Sequence, residues 1–306
     1  MVVTVLQTLV DQALILPSGW SIFSLYVIPG NLSVPALFTS IVNSVSIVKD
    51  AFGNVYWPEY NINTIGNLNT GRGYQIRMLS GVTLQVTGTI IIPEQTIISI
   101  PQGWSILGYL RTSPASVVTL LSSIVGVINI VKDENGQVYW PVFGFNNIGN
   151  MIPGKGYQIN IISKSNYTYP PNGSVLQNMK TVSYNTPDHF ILHKNTGHNM
   201  TLGIRHWAIG IGQGAWSEGQ VYEIGVFSEE GLLVGSGVLN DSFTAIAVWG
   251  DDNMTTEKDG LLPGEKFILK IWDGIKELYV SEITWDSGNC YYQPDGVSVV
   301  RSITIS

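Results

Sequence analysis

The sequence predicts a mostly-β protein: two tandem homologous modules, each with a short helix, followed by a C-terminal antiparallel β-sandwich. Three observations carry this. A set of short strings recurs at a constant offset, apolar and polar residues alternate with period two inside the recurring unit, and beyond residue 180 eight short apolar runs are separated by turn residues.

The recurrence sets the domain plan. PSGWS at 17–21 returns as PQGWS at 101–105, and VSIVKD at 45–50 as INIVKD at 128–133. GNVYWP at 53–58 returns as GQVYWP at 136–141, IGN at 65–67 as IGN at 148–150, and GRGYQI at 71–76 as GKGYQI at 154–159. Trp20 and Trp104 stand 84 residues apart, while Gly73 and Gly156 stand 83 apart, so one residue is lost within the copy. A unit of this length holds its own small core, unlike the shorter repeats of solenoids. The expected boundaries are 1–89 for the first module, 90–172 for the second and 173–306 for the C-terminal domain.

Within each copy the elements follow in order. The run after Trp20 alternates as a half-buried strand. Ser33 is placed to cap a helix carrying Leu37, Phe38, Ile41 and Val42 at helical spacing, and Ser116 opens the matching segment. Val45–Val48 reads as a strand, then Asp50–Asn54 as a turn into Tyr56-Trp57; the second copy turns at Asp133-Glu-Asn-Gly136. Gly71-x-Gly73 and Gly154-x-Gly156 lead into a last strand. No Lys-Ser/Thr and no helix opening follow these glycines, so they read as turn residues and not as a phosphate loop. Trp20, Trp57, Tyr74 and their partners Trp104, Trp140 and Tyr157 fall inside alternating strands and are expected in the core; the competing role is a carbohydrate platform. Residues 163–180, with Pro170-Pro171 and Asn172-Gly173, read as a connection.

The C-terminal strands are expected at His189–His193, Met200–Ile204, Val221–Phe227, Leu232–Val238, Phe243–Trp249, Lys266–Trp272, Glu277–Val280 and Val297–Ile305, at the short regular spacing of an antiparallel sandwich.

Composition excludes several functions. Charged residues make up 12% of the chain, mean hydropathy is +0.20, and the net charge is −7 with no Lys/Arg cluster. Such a chain has no footprint for nucleic acid or an anionic membrane. Its low charge predicts burial of surface in a multi-subunit assembly, so self-association or contact with other particle or surface proteins is expected. Cys290 is the one cysteine, so no intrachain disulfide forms. The opening MVVTVLQTLVDQALIL has no basic n-region and is interrupted by Asp11, so it does not read as a signal peptide. The uncharged stretch between Arg111 and Lys132 contains Pro114 and several polar residues and is not expected to span a membrane.

Catalytic signatures are missing: there is no G-x-S-x-G and no H-E-x-x-H. No enzyme activity and no cofactor are expected. His189, His193, His198 and His206 show no zinc spacing. Asp251, Asp252, Asn253, Glu257 and Asp259 form the densest oxygen cluster and the weak candidate for calcium; they lack the EF-hand order, and a solvated loop is the expectation.

The string P-x-G-W-S, I-V-K-D, G-x-V-Y-W-P, I-G-N, G-x-G-Y-Q-I resembles a tandem module of surface and secreted proteins of Bacteroidetes and related bacteria. EIGVFSEEGLLVGSGV (223–238), AVWGDDNMTTEKDGLLPGE (247–265) and FILKIWD (267–273) resemble a β domain that accompanies it. Similar modules occur in structural proteins of environmental phages. The resemblance implies a non-enzymatic structural or adhesive protein. The first expectation is a virion component such as a decoration, fibre or appendage protein at the virion surface. The alternative is a bacterial cell-surface or extracellular adhesion or carbohydrate-binding module.

Overall fold

The computed structural model describes residues 9–173, 186–192, 194–205, 209–210, 221–239 and 243–305. The protein is mostly β, with several sheets and few short helices. It forms two compact units, one built from both repeats and the other from the C-terminal strands.

The first repeat runs β1 (Leu9–Leu16), β2 (Gly19–Ser24), β3 (Val27–Pro29), α1 (Val34–Phe38), β4 (Val45–Lys49), β5 (Val55–Trp57), β6 (Ile62–Asn63), β7 (Gly73–Met78) and β8 (Val82–Ile90). The second runs β9 (Ile98–Ile100), β10 (Gly103–Gly108), β11 (Ala115–Ser116), α2 (Val117–Leu120), β12 (Ile128–Lys132), β13 (Val138–Trp140), β14 (Phe145–Asn146), β15 (Asn150–Met151), β16 (Gly156–Ile161) and β17 (Ser165–Tyr167). Each repeat builds the same five-stranded antiparallel sheet, β2-β7-β4-β5-β6 in one and β10-β16-β12-β13-β14 in the other. Registers match: Gly19 faces Met78 as Gly103 faces Ile161. Even the irregularity recurs, between Val45 and Ile47 and between Ile128 and Ile130. The copies therefore share strand order, register and bulge. They differ at the flank, where β1-β8-β3 is three-stranded and β9-β17 is a pair.

Each repeat has its own core. Phe23, Phe38, Tyr56, Tyr74 and Ile76 centre the first; Leu107, Leu121, Tyr139, Tyr157 and Ile159 centre the second. The expected helices are shorter than their apolar spacing suggested. α1 ends at Phe38 and continues as a 3-10 turn through Ser44, and Ser33 makes no side-chain cap. Val34 and Thr39 are β-branched and poor helix formers, and a few residues cannot offset the cost of nucleation.

The C-terminal unit runs β18 (Asn199–Arg205), β19 (Ile209–Gly210), β20 (Glu223–Ser228), β21 (Leu233–Val238), β22 (Phe243–Trp249), β23 (Phe267–Trp272), β24 (Glu277–Ser287) and β25 (Val297–Ile305). The sheet path is β21-β20-β23-β24-β25-β18-β22, with β19 on β25. Its pairings are antiparallel except those of β25 with β18 and β19, which are parallel. The end strands lie together, a Cβ at Gly235 falling 2.7 Å from Ala247 O, so the sheet curls towards closure around Leu202, Ile224, Ile246 and Leu269.

One expected strand is missing. Described residues 189–192 form a bend and coil, although HFILH holds the short apolar run of a strand. The buried Glu223 carboxylate takes the amides that a sheet would need, accepting from Asp188, His189 and Phe190 N–H at 2.8, 2.9 and 3.0 Å. Such charge-assisted bonds compete successfully with a ladder.

Candidate functional site

The repeated strings converge on a junction between the two repeats. β2 and β10 are edge strands of their sheets and carry outward-facing amides. Ser24 N–H donates to Gly154 O at 2.9 Å, and Gly108 N–H donates to Gly71 O at 2.9 Å. Ser24 corresponds to Gly108 and Gly71 to Gly154, so these two bonds are images under a local two-fold. Further bridges obey the same relation, Phe23 with Lys155 and Leu107 with Arg72. This is an isologous contact of the kind that joins identical subunits, here made within one chain.

Glycine chemistry permits the contact. Gly71 and Gly154 both have φ +83, which suits a turn. Gly73 and Gly156 play a different part. A Cβ on Gly73 would lie 2.5 Å from Ile106 Cγ2 and 3.1 Å from Gly156 Cα; one on Gly156 would lie 2.7 Å from Ile22 Cγ2 and 3.2 Å from Gly73 Cα. These glycines do more than open a strand: they allow two backbones to meet. Ser24 adds a hydroxyl bridge, accepting from Tyr109 N–H at 2.9 Å and donating to Lys155 O at 2.7 Å. Glu134 completes one side, with Oε2 accepting Ile22 N–H at 2.9 Å and Oε1 accepting Lys155 Nζ at 2.6 Å.

The other motif residues serve each module internally. Lys49 lies 4.5 Å over the Trp20 ring and Lys132 4.6 Å over Trp104, pairing I-V-K-D with G-W-S by a cation–π contact. Tyr74 OH accepts Asn69 N–H and Tyr157 OH accepts Ile152 N–H, at 2.7 and 2.8 Å. Asn63 and Asn146 side chains hold the glycine amides of I-G-N. Trp20 and Trp140 are buried, as are Tyr74 and Tyr157. Trp104 and Trp57 are only half-buried, against the expectation of a core place. Both rings make the same edge-on contact, Trp140 with Phe143 and Trp57 with Tyr60, but Tyr60 is exposed.

A second buried polar feature surrounds Arg111, which has no exposed surface and donates to Pro170 O and Pro171 O at 2.8 and 2.6 Å. Tyr109, Tyr167 and Tyr169 stack edge-to-face around it. Burial pushes the Tyr109 hydroxyl up to about 12 and raises those of Tyr167 and Tyr169 further.

In the C-terminal unit the acidic loop is self-satisfied. Asp251 Oδ1 accepts Asp259 N–H, Asp259 Oδ1 accepts Asp252 N–H, and Asp252 Oδ1 accepts Met254 N–H, at 2.8 to 3.0 Å. Asn253 and Glu257 are exposed. Among the described residues no group of three or more His, Cys, Asp or Glu is placed to hold a metal ion. His189 stacks on Trp272 at 3.9 Å and shares Glu277 with Lys270; these two hydrogen bonds, His189's first, lower the Glu277 carboxyl. His198 Nδ1 meets Tyr292 OH at 2.9 Å. His193 and His206 lie outside the described residues. Among the described residues no helix is long and apolar enough to cross a membrane.

Neither a family model, nor a curated protein, nor a solved structure matches the chain.

Proposed function

We propose that this chain is a non-enzymatic structural or adhesive protein that works in many copies through its surface. Its first role is as a component of a virus particle, at the virion surface, in contact with itself or with other particle proteins. The observation that supports this is where the recurring residues go. Trp, Lys, Asn, Tyr and Gly of the repeated strings are used in core packing, turns and the junction, which is how a building block spends its sequence. The low charge of 12% and the mean hydropathy of +0.20 favour extensive burial against neighbours. The resemblance to surface modules points the same way. The exposed aromatics Phe52, Tyr60 and Tyr279 favour a second reading, a secreted bacterial adhesion or carbohydrate-binding module.

Sedimentation at micromolar concentration tests the first role. A mass above the 33.5 kDa monomer, unchanged between low and high salt, is expected for apolar association, because salt screens surface ion pairs and leaves apolar contacts intact. A monomer at both salts that also fails to co-purify with particles would refute it.

A further inference from the structure

The local two-fold carries Ile22 to Ile106, Lys155 to Arg72 and Glu134 to Ala51. On the second repeat's turn, Glu134 places a carboxylate against the edge of β2, between Ile22 N–H and Lys155 Nζ. On the first repeat's turn, Ala51 carries only a methyl group. The space that a glutamate would occupy there is an open cavity of about 270 Å³, lined by Ala51, Phe52, Arg72, Tyr74 and Ile106 together with Asp50.

The cavity keeps the donors that Glu134 uses on the other side. Gly108 N–H leaves the outer edge of β10 towards Gly71 O. Amides two residues apart on a strand point the same way, so Ile106 N–H faces that edge as Ile22 N–H does on β2. Arg72 supplies a guanidinium in place of the Lys155 ammonium. One of its nitrogens, Nη2, donates to Ser99 O at 3.1 Å, and the group lies 5.3 Å from the Phe52 ring centroid. A guanidinium has five donors, so one such bond leaves it able to take a carboxylate. Asp50 is turned into its own loop, Oδ1 accepting Phe52 and Asn54 N–H and Oδ2 accepting Asn54 Nδ2. The equivalent Asp133 adjoins Glu134 in the chain and does not prevent a carboxylate from sitting there. Phe52, 58% exposed, stands where the second repeat has Asn135 and gives the cavity an apolar wall.

We propose that this cavity binds a small carboxylate ligand, whose acid group takes the place of the Glu134 carboxylate, held by Ile106 N–H and Arg72, while its body lies against Phe52. The volume leaves room for a body of monosaccharide or short-diacid size. The site stands independently of the assembly role.

Calorimetric titration of the full chain with glucuronate and with glutarate tests it, with glucose and glutaramide as uncharged counterparts. Saturable one-to-one binding of at least one acid is expected, with no binding of its uncharged counterpart. Glucuronate alone would identify a sugar acid, and glutarate alone an aliphatic acid; either supports the site. Arg72→Met should weaken binding about ten-fold or more, the effect of losing a charge-assisted bond. Ala51→Glu should fill the cavity as Glu134 fills its counterpart, abolishing binding while the melting temperature stays at or above that of the native chain. This second variant gives the answer if Arg72→Met does not fold. The proposal is overturned if neither acid binds by about 10 mM, where affinity is only a few kcal/mol. Binding of the neutral compounds as tightly as the acids, or binding unchanged in Ala51→Glu, would overturn it equally.

Discussion

Replacing Gly73 by alanine tests the junction at its tightest point. The added methyl would sit 2.5 Å from Ile106 Cγ2 and 3.1 Å from Gly156 Cα, against an ordinary carbon–carbon contact of about 3.5–4.0 Å. The overlap is therefore about 1 Å on the first contact. Neither neighbour yields easily: Ile106 is β-branched and stiff at χ1, and Gly156 is backbone at the start of β16, paired with Gly108 of β10. Overpacking of this kind costs about 1–3 kcal/mol. Lengthening the Ser24–Gly154 and Gly108–Gly71 bonds adds about 1 kcal/mol each if both are lost, which places the expected cost at the upper end of that range. Gly156→Ala should behave alike, from its 2.7 Å approach to Ile22 Cγ2. Because each methyl points at the other glycine's Cα, the first substitution parts the strands and the second enters space already opened. The double variant should therefore lose about 1 kcal/mol less than the sum of the singles. Gly30→Ala, with open space around its Cβ, is the control and should change stability by about 0.5 kcal/mol or less. Urea unfolding followed by tryptophan fluorescence measures all four. A Gly73→Ala loss equal to that of Gly30→Ala, or strict additivity in the double variant, would refute the close-approach argument.

Trp140→Ala should cost about 3–5 kcal/mol, since the ring is 2% exposed; Trp57→Ala, half-buried, should cost clearly less, and denaturant melts of the pair compare the two copies at one position. Millimolar calcium should leave the melting temperature unchanged, because the acids of 251–259 already accept backbone amides; a rise of several degrees that Asp251→Asn removes would show a real site. Stability should fall in alkali. Tyr109 is held neutral by burial, so its contribution is complete below its ordinary value near 10 and is lost as pH rises towards about 12, with Tyr167 and Tyr169 acting in the same direction; thermal melts across that range should show the decline, and Tyr109→Phe should flatten part of it.

Much of the fold was legible because its cues are local. Apolar runs between turn residues marked β22 and β25, and β2 fell where a strand was expected although it is buried on both faces and not half-buried; the constant offset of the strings predicted one strand order used twice. The short helices have a local cause, but two other misreadings come from contacts distant in sequence. HFILH has the apolar run of a strand, but the carboxylate that takes its amides lies some 33 residues on at Glu223. Trp57 and Trp140 occupy the same string, yet one side of Trp57 is left open in its own module. The junction's glycines were visible as a pair that opens the same strand in both copies, and they read as turn residues; the close backbone approach at Gly73 and Gly156 shows only in the structure. What the strings could not show is which strand edge comes to meet them. The contrast between Asp50-Ala51 and Asp133-Glu134 was visible too, but it acquires meaning only once Ile22 is seen to lie against Glu134.

Joining two related halves in one chain changes what their shared contact can become. In a pair of identical subunits any substitution appears on both sides of the axis at once, so a residue that helps one side and harms the other is not accessible. Covalent linkage removes that constraint, and it also keeps the contact formed at any dilution, since each half sees the other at a high local concentration. The two turns show the freedom in use. One carries an acid, Glu134, and closes against its neighbour, while the other carries Ala51 and lies open towards solvent beside an aromatic ring. A symmetric platform has in this way gained two sides that differ, with one free to seal the joint and the other free to meet something outside the chain.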